Sequence, residues 1–165
     1  MQNIVFKDVF TDEEIASIKQ TIKDNSHLKT VGKTIHQIDR GRDDLYLNYI
    51  IDPKILDKIQ NYLNTLGDYE LGPVTWIEYN NKITNPNLPP HKDPKNVKLT
   101  FDYQLESNVD WPIVIDDIEY QLKDNEAIAF DSRSQWHWRP EKIFKDGDYM
   151  QLIFFYINDP DVVLE

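Results

Sequence analysis

The stretch "LPPHKDPKNVKLTFDYQL", residues 88–105, sets His91 and Asp93 two positions apart, behind two prolines and ahead of a strand-like run. In extended chain, residues i and i+2 share a face with their Cα atoms roughly 6–7 Å apart, so an imidazole and a carboxylate can aim at one point. A third donor stands far downstream in "AIAFDSRSQWHWRP", where His137 lies just past another strand-like run, between two tryptophans. Two imidazoles and one carboxylate on one side of a metal leave its other positions open, the arrangement that suits iron(II) in oxygen chemistry. A closed zinc site would need a fourth protein ligand, and the chain has no cysteine to supply one. Taken alone, a His-x-Asp pair reads more simply as a structural hydrogen bond. The metal reading therefore depends on His137 joining the pair.

The rest of the chain limits what such a site could serve. The 165 residues fit one domain with a single core, and 40% hydrophobic and 12% aromatic content is enough to pack it. Against 29 acidic residues there are 18 basic ones, a net charge of −11. A surface that negative repels phosphate backbones and anionic lipid heads, so double-stranded nucleic acid and membranes are not expected partners. The absence of cysteine also removes disulfides and a thiol nucleophile. "MQNIVFKDVFTDEEI" has neither the basic nor the apolar region of a secretion signal, and no apolar run reaches spanning length, so a cytoplasmic location is expected. No serine sits in a strand–turn–helix elbow and no glycine-rich loop cradles phosphate.

The elements that must position the three donors are legible in outline. Thr11 and Glu14 form a capping box, with Phe10 and Ile15 as its hydrophobic staple, and predict a helix over 12–23. "TIHQI" (34–38) and "LYLNYII" (45–51) read as strands joined by a charged turn, "DRGRDD" (39–44). Asp52, Pro53 and Gly67 bracket a second helix whose Ile55, Ile59 and Leu63 repeat at helical period. Beyond Gly72-Pro73 come short strand-like runs at 74–79, 97–105, 112–117, 118–122, 127–131 and 150–157, separated by turn residues. This pattern predicts a mainly β domain, a sandwich or jelly roll backed by about two helices. Residues 1–72 would support a jelly-roll core at 73–158.

In order, the blocks "WIEYNN", "LPPHKD", "KLTFDYQL", "NEAIAFDSRSQWH" and "YMQLIFFYI" resemble the catalytic core of the Fe(II)/2-oxoglutarate-dependent dioxygenases, nearest to their prolyl 4-hydroxylase-like branch. The resemblance runs from Trp76 to Tyr156, about half the chain. It implies a double-stranded β-helix in which His91, Asp93 and His137 hold Fe(II), 2-oxoglutarate chelates the metal, and O2 takes the last position. The activity implied is hydroxylation with release of succinate and CO2. A protein side chain such as proline is the first substrate class to consider, and a small metabolite is the second.

That branch places a cation on the last strand for the far carboxylate of 2-oxoglutarate. Here Tyr149 or Gln151 falls near the equivalent place. Arg139 and Lys98 are the replacements available, with Arg139 favoured. Tyr79 and Tyr103 match tyrosines expected to contact the co-substrate. Trp76, Phe101, Phe130 and Phe155 are candidates for the cavity wall, although core packing explains each of them better. Arg40 and Arg42 read chiefly as part of a solvated turn, with substrate contact as the alternative. Residues 80–90 read as a mobile lid. His27 and His36 have no carboxylate at ligand spacing and read as surface or structural. Two other readings stay open: a non-haem iron oxygenase that does not use 2-oxoglutarate, and a non-catalytic jelly-roll binding module.

Overall fold

A computed structural model describes residues 2–30 and 39–162. Strand β1 (Ile4–Phe6) leads into helix α1 (Asp12–Asp24), and strand β2 (Arg42–Tyr46) precedes helix α2 (Pro53–Leu66). The remainder is β: β3 (Leu71–Tyr79), β4 (Val97–Ser107), β5 (Ile113–Ile115), β6 (Ile118–Tyr120), β7 (Glu126–Phe130), β8 (His137–Trp138) and β9 (Met150–Asn158). A six-stranded sheet in the order β1-β7-β4-β9-β3-β2 faces a three-stranded sheet in the order β6-β5-β8, with every pairing antiparallel. This is a jelly roll with its helices on one side.

Both helices start as their sequences dictate. Thr11 accepts from Glu14 N while Glu14 accepts from Thr11 N, and Asp52 accepts from Lys54 N ahead of Pro53. Their apolar stripes, Ile18 and Ile22 on α1 and Ile55, Ile59 and Leu63 on α2, pack on one face of the large sheet. That face carries Trp76, Phe101, Tyr103, Ile153 and Phe155. Alternation along the same strands sends Thr100, Asp102, Phe154 and Tyr156 to the opposite face, toward the smaller sheet. A two-residue period thus separates the scaffold from the cavity. Trp76, Phe101 and Phe155 belong to the helix-packed core, and of the four aromatics considered for the wall, Phe130 alone lines the cavity.

One element differs from the sequence reading. The strand expected at 45–51 lies at 42–46, so part of the supposed charged turn is ladder. Its end is set by Asn48, whose side chain accepts from Val74 N (2.8 Å) and donates to Gly72 O (3.0 Å), across the register shift in β3. Ile51 N then closes a turn on Leu47 O (2.9 Å). The large sheet is also completed from outside 73–158, by β1 on β7 and β2 on β3. The strand expected at 34–38, and His36 within it, fall outside the described residues. Among those described, no helix is long and apolar enough to cross a membrane.

Gly41 fixes how the chain enters β2. Its φ is +61°, and a Cβ there would lie 2.7 Å from the Thr84 carbonyl oxygen and 3.0 Å from Pro86. Backbone bonds from Asn80 N to Gly41 O and from Asn87 N to Arg40 O (both 3.1 Å) hold the segment against 80–87. Gly41→Ala is expected to lower stability by about 1–3 kcal/mol, through left-handed strain and the backbone clash. Urea unfolding measures this, and an unchanged midpoint would show that the tight entry is not required.

Candidate metal centre

His91 and His137 are cross-strand neighbours. Each backbone N–H donates to the other's carbonyl, His91 N to His137 O at 3.1 Å and His137 N to His91 O at 3.0 Å. Such a doubly bonded antiparallel pair puts two side chains on the same face of the ladder, and the ring centroids lie 4.2 Å apart. Asp93 has left the bridge, but its N–H donates to Ser132 O (2.9 Å), which returns its side chain to the same point. Asp93 Oδ1 then stands 3.6 Å from His91 Nε2 and 3.5 Å from His137 Nε2, and the three donor atoms lie within 4.8 Å of one another.

This donor set fits a metal. His91 Nδ1 lies 2.8 Å from Pro89 O and His137 Nδ1 lies 3.0 Å from Gln135 O. A carbonyl can only accept, so both Nδ1 atoms carry the proton and both Nε2 lone pairs are free for a cation. Metal–ligand bonds of roughly 2.1 Å at right angles put neighbouring donors ~3 Å apart, about half an ångström inside the two histidine–aspartate spacings. Burial, the adjacent His137 and, more weakly, Arg40 push His91 down to about 4, which keeps it neutral and able to ligate. Burial alone would raise the Asp93 carboxyl, but its hydrogen-bonding neighbours, His137 and Ser132, hold it below its usual range.

The second carboxylate oxygen is held too. Thr100 Oγ1 donates to Asp93 Oδ2 (3.2 Å), and Thr100 in turn lies 2.7 Å from Ser132 Oγ, which is fully buried. Thr100 and Ser132 therefore fix the rotation of Asp93, leaving Oδ1 turned to the histidines. Neither was singled out from the sequence. Thr100 could have been found from its parity with Asp102 along β4.

The donors open on a cavity of about 450 Å³. Its wall includes Arg42, Thr75, Thr100, Asp102, Phe154 and Tyr156. Arg139, Lys98, Tyr79 and Tyr103 do not line it. Arg139 is buried behind the wall, with its Nη2 3.6 Å from Asp102 Oδ2 and its Nη1 donating to Trp111 O. Lys98 Nζ lies 5.5 Å over the Tyr69 ring, Tyr79 packs edge-on against Trp111, and Tyr103 faces the helices and donates to Asn125. Of the three cations that do line the cavity, Arg40, Arg42 and Lys92, Arg42 is 12% exposed, with its Nε 3.2 Å from Asp44 Oδ1. Burial would lower its pKa, but Tyr79, Asp44 and Tyr156 beside it hold it above its ordinary value. Burial instead pushes the Asp102 carboxyl up to about 6, against the attraction of Arg139 and His137.

The 80–90 segment is tied down rather than loose. Asn85 accepts from Phe144 N and donates to Lys142 O (both 2.8 Å), and Asn81 donates to Asp146 Oδ1 (3.0 Å). Two polar loops are thus knitted together beside the site. His27 lies in an exposed short 3-10 turn, away from it.

No protein-family model matches the sequence, and no curated protein matches it. Solved structures do. A prolyl hydroxylase from Trichoplax adhaerens, in complex with a peptide of the hypoxia-inducible factor oxygen degradation domain, superposes with a TM-score of 0.69 at 13% identity, over 95% of this chain and 83% of that one. The fold is that of the prolyl hydroxylases. The viral collagen prolyl hydroxylase of Paramecium Bursaria Chlorella virus-1, in its 2-oxoglutarate complex, gives 0.66 at 15% identity, over 96% of each chain. A non-haem α-ketoglutarate-dependent carbocyclase from nogalamycin biosynthesis gives 0.67 at 10% identity, over 96% of this chain and 80% of its own. The likeness is therefore to a scaffold that carries more than one reaction outcome.

Thr100→Val and Ser132→Ala each release Asp93 while leaving all three donors in place. Each is expected to weaken Mn(II) binding by about 10–100-fold. Titration of free Mn(II) by electron paramagnetic resonance reads this directly, and wild-type affinity in both variants would show that Asp93 needs no such support.

Proposed function

We propose that the protein is an Fe(II)- and 2-oxoglutarate-dependent oxygenase that hydroxylates an organic substrate. The observation carrying this reading is the convergence of His91 Nε2, His137 Nε2 and Asp93 Oδ1 at the wall of a cavity. With Fe(II), 2-oxoglutarate and O2 bound, such a centre supplies oxidative decarboxylation to succinate and CO2 and insertion of the remaining oxygen atom into a C–H bond. The chain's own part is to bind, orient and exclude water. Phe130, Phe154 and Ile113 form an apolar wall suited to a strong oxidant. Thr100 and Ser132 keep Asp93 aimed.

A dianionic co-substrate needs a cation inside the cavity. Arg42 fills that role in this reading. It lies on β2, lines the wall with Thr75 and Tyr156, and its Nε has no well-aligned hydrogen-bond partner among the described residues. Arg139, favoured from the sequence, is committed to Asp102 and the Trp111 carbonyl. Arg42→Ala should weaken 2-oxoglutarate binding by about 2–5 kcal/mol. Arg139→Ala should act mainly on folding, at a cost of about 3–5 kcal/mol, because it strands a buried carboxylate. Calorimetric titration and denaturant melts on the two variants separate the roles.

A second reading keeps the iron and drops 2-oxoglutarate. It is favoured by β9, where Tyr149 donates to Glu106 (2.6 Å) and Gln151 to Glu78 (2.8 Å), so neither residue presents a cation. Succinate production decides between them. Fe(II)-dependent turnover of 2-oxoglutarate, abolished by Asp93→Ala, supports the proposal. Iron uptake without succinate formation and without the visible chelate absorption supports the rival.

A further inference from the structure

The cavity's charges do not balance once its expected occupants are counted. The chain is strongly acidic, yet among the described residues the cavity is lined by Arg40, Arg42 and Lys92 against two carboxylates, Asp93 and Asp102. Asp102 is balanced by Arg139 at 3.6 Å. A divalent metal, Asp93, the co-substrate dianion, Arg42 and its partner Asp44 together leave one negative charge. Arg40 and Lys92 more than offset it, so the filled cavity still carries net positive charge. Among the described residues no carboxylate lies within ion-pair distance of either.

The two cations flank the metal ligands. Lys92 sits between His91 and Asp93 in the chain, with its ammonium 5.2 Å over the ring of Trp136, itself half exposed beside His137. Arg40 lines the same cavity across Gly41 from Arg42, and the largely exposed Tyr46 lies farther along β2. Unpaired cations held at a concave mouth attract anions and repel cations from a surface that otherwise does the reverse. A neutral substrate would leave that positive charge uncompensated beside the metal. We infer that the primary substrate is anionic, and that Arg40 and Lys92 pair with its carboxylate or phosphate while Trp136 and Tyr46 receive its body. The inference rests on the oxygenase reading for the metal and the co-substrate. A free metabolite and an acidic side chain on a peptide would share this chemistry.

The test uses the 165-residue protein loaded with Mn(II) and 2-oxoglutarate, so that no turnover occurs and the chelating positions are filled. Three probes of matched size, phenylacetate, phenylacetamide and phenethylamine, are titrated beside an acetylated aspartyl peptide amide. Broadening of probe protons by the bound Mn(II) reports occupancy near the metal. The acid is expected to bind about tenfold more tightly than the amide or amine, and the preference should fall to roughly threefold or less in 0.5 M salt and in the Arg40→Gln/Lys92→Gln double variant. Phenylacetate outbinding the peptide points to a free metabolite, and the opposite order to a protein side chain. Equal binding of acid and amide, preference for the amine, or a preference that survives the double variant overturns the inference. If the protein fails to take up Mn(II) with 2-oxoglutarate, the oxygenase reading falls separately. The same probes followed at the Trp136 indole N–H of metal-free, ¹⁵N-labelled protein still decide the charge preference.

Discussion

Three backbone hydrogen bonds make the centre: the reciprocal pair between His91 and His137, and the one from Asp93 N to Ser132 O. They fix two segments, one following a double proline and one following β7, in a register that aims three side chains at one point. A slip of one residue in that register would turn a histidine to the other face. Side-chain contacts finish the work, with carbonyls setting both histidine tautomers and hydroxyls setting the aspartate. The order of causes runs from ladder register to donor geometry to metal affinity.

The same two-residue period divides the large sheet into a structural face and a working face. Its helix side is closed by aromatic and aliphatic packing among Phe6, Tyr62, Phe101 and Phe155, with ring centroids 5.2–6.0 Å apart. Its inner side mixes apolar wall with a few ionisable groups, each held by a specific neighbour: Asp93 by Thr100, Asp102 by Arg139, Arg42 by Asp44. Buried charges that are paired can persist beside a metal without collapsing the site, whereas breaking one pair leaves a costly remainder. That is why Arg139, though close to His137 in sequence, acts here as part of the wall.

Much of this was legible beforehand. The capping box at Thr11, the Asp52-Pro53 start and Gly67 end of the second helix, and the β-rich remainder follow from local chemistry and appear where expected. The two histidines and the aspartate could be named because ligand types and spacing constrain each other strongly. Apart from Phe130, Arg40 and Arg42, the lining residues could not, because strand parity decides them and parity depends on register. Tyr103 and Asp102 are adjacent in sequence, yet one packs under the helices and the other borders the cavity. Arg42 was hidden by its surroundings: "DRGRDD" has a turn's composition, and only the positive φ of Gly41 shows where the turn stops and the strand begins.

X-ray absorption at the iron edge of the Fe(II)-loaded protein tests the central claim most directly. The account predicts one tightly held iron with nitrogen and oxygen donors at roughly 2.1 Å, and the outer-shell scattering of two imidazoles, reduced to one in His137→Ala. Iron bound without imidazole scattering, or a spectrum unchanged by that substitution, would contradict it.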